Sequence, residues 1–192
     1  MSEVLLEARN ISKKFGGVQA LHAVSLTIRR GEIYGLIGPN GAGKTTFFNV
    51  LTGLYACDSG AFSFNDAPLD TAATHAVVRQ GIARTFQNIR LFANMSVLEN
   101  VMVGRHTRSR SGVIGAVLRN RATRAEEQAI VDRAHELLRY VGIERRANDL
   151  ARHLPYGDQR RLEVARALAT EPRLLALDEP AAGMNASETT AL

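Results

Sequence analysis

A glycine-rich segment that could hold phosphate lies in the first quarter of the chain. It follows the pattern G-x-x-x-x-G-K-[ST], and its residues are Gly38, Pro39, Asn40, Gly41, Ala42, Gly43, Lys44 and Thr45. Glycines allow backbone N–H groups to turn inward around phosphate oxygens, the lysine reaches the β- and γ-phosphates, and the threonine hydroxyl ligates Mg²⁺. Because roughly 0.002 matches are expected by chance at this composition, the pattern predicts a phosphate-binding loop.

Such a loop needs a strand before it and a helix after it. The apolar run Ile33–Ile37 predicts a buried strand, and Lys44–Leu51 predicts a helix that ends near Gly53. The positive end of that helix dipole would face the bound anion. The local sequence therefore agrees with the motif.

Two acidic residues near the end of the chain could complete the chemistry. The apolar run Leu174–Leu177 predicts another buried strand, which ends at Asp178 and Glu179. A phosphate-binding loop needs a carboxylate to hold the metal, usually at the end of a neighbouring strand. We therefore assign Asp178 to Mg²⁺ and Glu179 to the general base that polarises the attacking water.

The first part of the chain contains further strand patterns. Val4–Arg9 and Ala23–Ile28 alternate apolar and polar side chains, as antiparallel strands with one buried face do. Ala61–Phe64 and Ile82–Phe86 are short apolar runs that also predict strands. A strand-rich beginning and the later Leu174 strand indicate an α/β core.

The middle of the chain, from about residue 96 to 170, is helical in pattern. Ser96–Glu99 and Thr123–Glu126 each have the spacing of a capping box, and the second precedes a helical periodicity that ends at Gly142. Gln159–Ala169 predicts another helix. The pattern indicates a helical insertion in the α/β core.

The composition of the chain excludes several classes of protein. The chain has 192 residues, of which 45% are hydrophobic and 22% are charged, so it can form a core, and disordered, collagen-like and coiled-coil proteins are excluded. No apolar run approaches the ~18 residues of a membrane span, no signal peptide is expected, and the single Cys57 excludes an internal disulfide. The net charge is +5, and residues 101–125 hold six arginines and no acid. That segment is either a solvated loop or a contact for nucleic acid or anionic lipid.

Taken together, these motifs resemble the ATP-binding subunits of ABC transporters over the whole length of the chain. The resemblance implies one domain over residues 1–192, with the P-loop NTPase fold of α/β class. Residues 1–95 and 170–192 would form the α/β core with its antiparallel β-subdomain, and residues 96–169 the helical signature subdomain. It also implies ATP and Mg²⁺ as cofactors.

The resemblance extends to single residues. Phe15 resembles the aromatic residue that stacks on adenine, Thr46 joins the nucleotide-binding loop, and Gln87 resembles the Q-loop glutamine that touches Mg²⁺ and the attacking water. The family's Leu-Ser-Gly-Gly-Gln signature, which binds the γ-phosphate held by a partner subunit, is expected at Leu154 and the residues after it. Those residues are Pro155, Tyr156, Gly157, Asp158 and Gln159. Pro155 replaces the signature serine, but proline suits a first helical turn, and the Gly157 and Asp158 amides remain as donors.

The sequences of three segments resemble one group within this family. The ATPases of branched-chain amino-acid importers have similar sequences at Arg84–Leu91, Tyr156–Glu163 and Asp178–Asn185. Urea and short-chain amide importers share much of this sequence. The implied partners are a second ATPase subunit (the same chain or another), two membrane permeases and, indirectly, a periplasmic binding protein, with no nucleic acid. The implied location is the cytoplasmic face of the membrane.

One element of the family's site is not found. The switch histidine should lie roughly 30 residues beyond Glu179, but only 13 residues remain and all five histidines precede Asp178. We therefore expect the last core strands to be missing, as in a truncated form of a longer subunit, and ATP turnover by this chain alone to be poor. Asn185 stands where many members have the D-loop aspartate, which weakens one contact between subunits.

Two other classes stay open at this point. The chain could be a nucleotide-binding module without turnover, because the switch histidine is absent. It could also be a soluble ABC protein that contacts ribosomes or DNA through Arg105–Arg124, although such proteins usually carry two cassettes or long coiled coils.

Overall fold

The computed structural model describes residues 3–105, 121–180 and 182, which belong to two units, residues 1–82 and 83–192. Asn185 and the arginine-rich residues 106–120 lie outside the described residues.

The first unit is built on a four-stranded sheet. Its strands are β1 (Val4–Phe15), β2 (Val18–Arg29), β3 (Ser59–Phe64) and β4 (Ala67–Pro68). Their order is β2-β1-β3-β4, and every neighbouring pair is antiparallel. Ala8 on β1 is opposite Leu26 on one side and Phe62 on the other. The predicted antiparallel pairing is confirmed, and both first strands are longer than predicted.

Two helices belong to the same unit. Helix α1 (Lys44–Leu51) has the predicted bounds, whereas α2 (Thr74–Gln80) was not predicted. Phe47 of α1 and Phe62 of β3 make an edge-to-face contact with ring centroids 5.8 Å apart. Both rings are buried, so this contact holds α1 against the sheet.

The run Ile33–Ile37 does not form the predicted buried strand. It has no regular secondary structure, and Ile33 and Ile37 are 100% and 95% exposed. A strand is stabilised by hydrogen bonds to a neighbouring backbone and by burial of its faces. None of the described strands pairs with this run, so apolar composition alone was not enough to form the strand.

In its described residues, the second unit combines a two-stranded sheet with three helices. The strands are β5 (Ile82–Arg84) and β6 (Leu174–Ala176), and the helices are α3 (Val97–Arg105), α4 (Arg121–Tyr140) and α5 (Tyr156–Leu168). Short 3₁₀ turns cover Glu144–Arg146 and Ala151–His153. The core of the helices includes the buried residues Val97, Val101, Leu137, Leu138, Leu154 and Leu162.

Two predicted capping boxes had different outcomes. At α3 the Glu99 N–H donates to Ser96 Oγ (3.1 Å) and the Ser96 N–H donates to Glu99 Oε2 (2.7 Å), so this box is confirmed. The box at Thr123 is wrong, because α4 already begins at Arg121. Arg and Ala favour helix, so the helix includes the two residues before Thr123.

In the second unit, the two strands and helix α5 differ from prediction only at their ends. Strand β5 ends at Arg84 instead of Phe86, and β6 ends at Ala176 instead of Leu177. Helix α5 begins at Tyr156, three residues before the predicted start, with Pro155 as its N-cap residue. None of the helices in the described ranges is long and apolar enough to span a membrane.

Candidate functional site

Lys44 lies at the start of α1 and turns back over the loop before it. Its ammonium donates to the carbonyl oxygens of Gly38 (2.6 Å) and Pro39 (2.9 Å). Both acceptors are neutral, so no described carboxylate holds the lysine charge. The first-turn amides of a helix have no partner within the helix, and Lys44 is the first residue of α1. The loop therefore offers cationic and N–H donors to a phosphate.

Two glycines give the loop its shape. Gly41 and Gly43 have φ angles of +84° and +88°, which residues with a Cβ rarely adopt. Gly43 also lies against β2, where a Cβ would come within 2.5 Å of the Ala20 carbonyl oxygen. The loop thus depends on glycine at Gly43 both for its conformation and for its close approach to the sheet.

Phe15, predicted to stack on adenine, ends β1 with 43% of its surface exposed. Its ring contacts Tyr55 edge to face at 5.2 Å, and Lys13 Nζ lies 5.5 Å from its centroid. Lys13 also binds Asp58 at 2.8 Å, and this hydrogen bond lowers the pKa of the Asp58 carboxyl. The ring is partly exposed and has a cation over it, and an exposed aromatic ring can stack on a nucleotide base.

In the second unit, Gln87 and Glu179 are brought together. Gln87 Nε2 donates to Glu179 Oε2 at 3.1 Å, although the two residues are far apart in sequence. Glu179 is exposed and has φ +49°, a left-handed conformation that a non-glycine residue adopts only when its surroundings hold it. The predicted base therefore has a fixed orientation and access to solvent.

Asp178 has a different environment from its neighbour. It is 3% exposed, and its Oδ2 accepts a hydrogen bond of 2.7 Å from Arg84, which is also buried. The Asp178 N–H donates to Thr85 Oγ1 at 3.4 Å. The other oxygen, Oδ1, accepts no hydrogen bond from the described residues. Arg84 was missed by sequence reasoning, because nothing in the sequence links it to an acid more than ninety residues away.

The predicted signature residues form the first turn of α5. Asp158 forms ion pairs with Arg146 (3.0 Å) and Arg161 (3.6 Å), so its charge is neutralised at the helix end. Tyr156 Oη donates to the Ala182 carbonyl at 3.0 Å, and Gln159 Nε2 donates to the Leu154 carbonyl at 2.8 Å. Pro155 is the N-cap residue of α5, and Gly157 and Gln159 lie in its first turn, at the helix end that carries a partial positive charge.

The metal ligands predicted from the sequence are oxygen donors. The described residues contain no group of three or more His, Cys, Asp or Glu side chains that could hold a metal. Mg²⁺ is usually bound by one or two carboxylates together with substrate phosphates and waters. In the second unit, the Gln87 amide and Asp178 Oδ1 are oxygen donors of that kind, and the first unit has one in the Thr45 hydroxyl.

Comparison with known proteins places these features in one class. The sequence model of the ABC transporter family matches residues 21–182, and the chain therefore belongs to that family. It is an ATP-hydrolysing subunit of α/β fold, as the sequence resemblance predicted.

Individual relatives show which members of the family are informative to compare with this chain. LivG of Salmonella typhimurium, a high-affinity branched-chain amino acid transport ATP-binding protein, is 44% identical over 192 residues, which is 100% of this chain and 75% of LivG. BraF of Pseudomonas aeruginosa, described in the same words, is 40% identical over 98% of this chain and 74% of BraF. A solved dimer of an ATP-binding cassette in a post-hydrolysis state, bound to ADP and Pi, superposes with a TM-score of 0.78 at 27% identity, over 97% of this chain and 79% of that chain. The resemblance to branched-chain importer ATPases is confirmed, whereas the roles of single site residues and the domain boundaries stay predictions.

Proposed function

We propose that the chain is the ATPase subunit that powers import of branched-chain amino acids. The observation that carries this proposal is the alignment with LivG, which covers all 192 residues of the chain at 44% identity. The Gln87–Glu179 pair and the Lys44 loop supply the chemistry that such a motor needs.

Nucleotide binding is assigned to the first unit. The loop residues 38–46, with the Lys44 ammonium and the α1 amides, bind the phosphates, and the exposed Phe15 ring stacks on the base. The Lys44 ammonium exchanges two neutral carbonyl acceptors for phosphate oxygens. An ionised acceptor gives roughly twice the hydrogen-bond strength of a neutral one, and this favours the exchange.

Hydrolysis is assigned to residues of the second unit, together with Thr45. Mg²⁺, when bound, neutralises charge on the β- and γ-phosphates. Thr45, Gln87 and Asp178 are the residues that would hold it. Glu179 orients the attacking water and accepts its proton, and the hydrogen bond from Gln87 fixes the direction of that carboxylate.

The signature turn, residues 155–159, is assigned to a nucleotide on a second ATPase subunit. The solved cassette that is dimeric and bound to ADP and Pi supports pairing of two ATPase subunits. In this chain Arg146 and Arg161 neutralise Asp158, so the carboxylate does not repel a γ-phosphate at the same helix end. Within each subunit we retain the proposed core of residues 1–95 and 170–192 and the helical subdomain of residues 96–169.

The remaining partners follow from the relatives. We propose that a dimer of ATPase subunits docks on two membrane permeases at the cytoplasmic face of the membrane, with a periplasmic binding protein delivering the amino acid. The match to proteins of branched-chain amino acid transport favours this partner set over ribosomes or DNA.

Reconstitution tests the function and the cargo together. The chain is assembled in proteoliposomes with two permeases of a branched-chain amino acid importer, and uptake of labelled leucine, valine and urea is measured with and without internal ATP. We expect ATP-dependent uptake of leucine and valine only. The matched control is Lys44→Ala, which should assemble but not transport. Uptake of urea alone would show that the proposed cargo is wrong. Nucleotide binding without ATP turnover would favour a nucleotide-binding module.

A further inference from the structure

A buried ion pair on α5 is not used by the chemistry described so far. Arg160 is 0% exposed and Glu163 is 1% exposed, and Arg160 Nη1 lies 2.8 Å from Glu163 Oε2. Among the fully buried side chains of the described residues, Arg160 is the largest. Burying two charges has a large desolvation cost, which is offset only when further hydrogen bonds satisfy both groups.

Those further bonds go to the backbone of the two segments that carry the proposed base and its partner. Arg160 Nη1 donates to the Phe86 carbonyl (2.6 Å), and Nη2 donates to the carbonyls of Gln87 (3.2 Å) and Glu179 (3.3 Å). Glu163 Oε1 accepts the Phe86 N–H at 3.2 Å. One ion pair therefore holds the main chain of both Gln87 and Glu179, whose side chains meet at 3.1 Å.

The pair is not arranged for stability alone. Arg160 Nε is buried and has no hydrogen-bond partner among the described residues, which lowers stability. Glu179, whose carbonyl Arg160 binds, has the left-handed φ of +49°. Such a conformation persists only where neighbouring groups hold it, and it is frequent where geometry matters for function.

We propose that Arg160 and Glu163 are positioning residues for ATP hydrolysis. By binding the backbone at Phe86, Gln87 and Glu179, they fix the separation between the Gln87 amide and the Glu179 carboxylate, and hence the direction of the carboxylate toward water. This inference rests on the proposed roles of Gln87 and Glu179. It adds that α5, whose first turn contains the predicted signature residues, sets the position of the Glu179 carboxylate through hydrogen bonds to the backbone.

The test replaces the pair without leaving an unpaired charge. Replacing a buried ion pair by apolar residues of similar volume is often neutral or stabilising, so Arg160→Met/Glu163→Leu should keep the fold. In the assembly with permeases, we expect kcat for ATP hydrolysis to fall about 10²-fold, since a misplacement of ~1 Å can have that effect, while the KM for ATP stays unchanged. The Tm should fall, because the Phe86, Gln87 and Glu179 backbone groups lose their partners, but unfolding should stay cooperative. The matched control is Arg133→Met/Glu136→Leu on α4, an exposed pair with the same spacing and a distance of 2.7 Å, which should leave kcat unchanged.

A second arm separates positioning from a purely structural role. In a Glu179→Gln background the Arg160 and Glu163 replacements should cause no further loss, because groups that act as a unit are not additive. Hydrogen exchange should also become faster at the Phe86 amide, which Glu163 protects in the parent chain.

The outcomes are distinguishable. A parent chain that binds ATP but does not hydrolyse it even when it is assembled with the permeases refutes the proposed function, and in that case the exchange rate of the Phe86 amide still decides whether the pair holds this segment. A double variant with parental kcat overturns the positioning role. If the double variant does not fold, Arg160→Lys takes its place, because an ammonium keeps the charge but lacks the planar fork that spans two segments; full kcat in that variant also overturns the proposal.

Discussion

Two glycines in the phosphate loop allow a steric clash to be measured separately from backbone strain. Gly41 and Gly43 have nearly the same φ, +84° and +88°, so an alanine at either position adopts the same unfavourable left-handed conformation. That strain is about 1–2 kcal/mol. The space around the two positions differs, because a Cβ at Gly41 meets nothing within 4 Å, whereas a Cβ at Gly43 lies 2.5 Å from the Ala20 carbonyl oxygen and 3.0 Å from Leu21 Cδ2.

We therefore expect Gly43→Ala to destabilise the protein more than Gly41→Ala does. The nearest atom at Gly43 is backbone, so the loop or β2 must move by about 1 Å, and overpacking of this kind costs about 1–3 kcal/mol. Alanine also restricts the unfolded chain, but this gain is the same in both variants and cancels in their difference. The predicted difference in the free energy of unfolding is thus about 1–3 kcal/mol.

Urea unfolding followed by far-UV circular dichroism measures this difference, since the chain contains no tryptophan. A fluorescent-ATP titration on the same samples should show the larger loss of affinity in Gly43→Ala, because its loop is displaced. Native-state hydrogen exchange at Ala20 and Leu21 locates the effect on β2. Equal destabilisation by the two alanines would refute the close approach of Gly43 to the sheet and the reasoning built on it.

Three further predictions concern other parts of the chain. Lys44→Ala should weaken ATP binding by about 2–5 kcal/mol, because a phosphate loses its charge partner; an unchanged Kd by titration would contradict the loop assignment. The backbone N–H of Ser96 holds the pKa of Glu99 below its ordinary value of 4.5. Glu99 therefore stabilises the fold above that value, and this contribution disappears as the pH falls through the lowered pKa. Glu99→Gln should flatten the decline of Tm in this acidic range, and equal dependence of Tm on pH in the variant and the parent would contradict the prediction. In a Cys57→Ser background, a cysteine introduced by Pro155→Cys should react with a thiol-reactive ATP analogue bound to the partner subunit, and labelling of isolated monomers would exclude action across subunits.

Local signals in the sequence predicted the elements that need no distant partner. Helix α1 follows from its motif and periodicity, and the start of α3 follows from two reciprocal hydrogen bonds within four residues, Ser96–Glu99. The run Ile33–Ile37 failed because a strand depends on a neighbour that the local sequence does not specify. The missed helix Thr74–Gln80 is seven residues long and contains two adjacent valines, so its propensity is weak.

Charged groups of the candidate site were predicted only in part, for the same reason. Asp178 and Glu179 could be found because they follow an apolar run beside a known motif. Arg84 could not be found, since its partner Asp178 is 94 residues away. The contacts of Arg160 with the backbone of Phe86 and Glu179 could not be found either, since these residues are 74 and 19 residues away and no periodicity links them. A signal was present in α5, where Arg160 and Glu163 occupy positions facing the core, but burial of an ion pair is recognised only when both partners are seen.

The adjacent carboxylates of Asp178 and Glu179 illustrate how such partners divide the proposed roles. Asp178 is buried and gives one oxygen to the Arg84 guanidinium, so it is rigid and keeps one oxygen for a cation. Glu179 is exposed, accepts its hydrogen bond from the neutral Gln87 amide and is held through its backbone carbonyl by Arg160. A metal ligand needs a fixed charge without a competing proton, whereas a base needs access to water and a fixed direction. The two environments differ in that sense, so we expect exchange of the two side chains, by Asp178→Glu/Glu179→Asp, to abolish ATP hydrolysis although the net charge is unchanged.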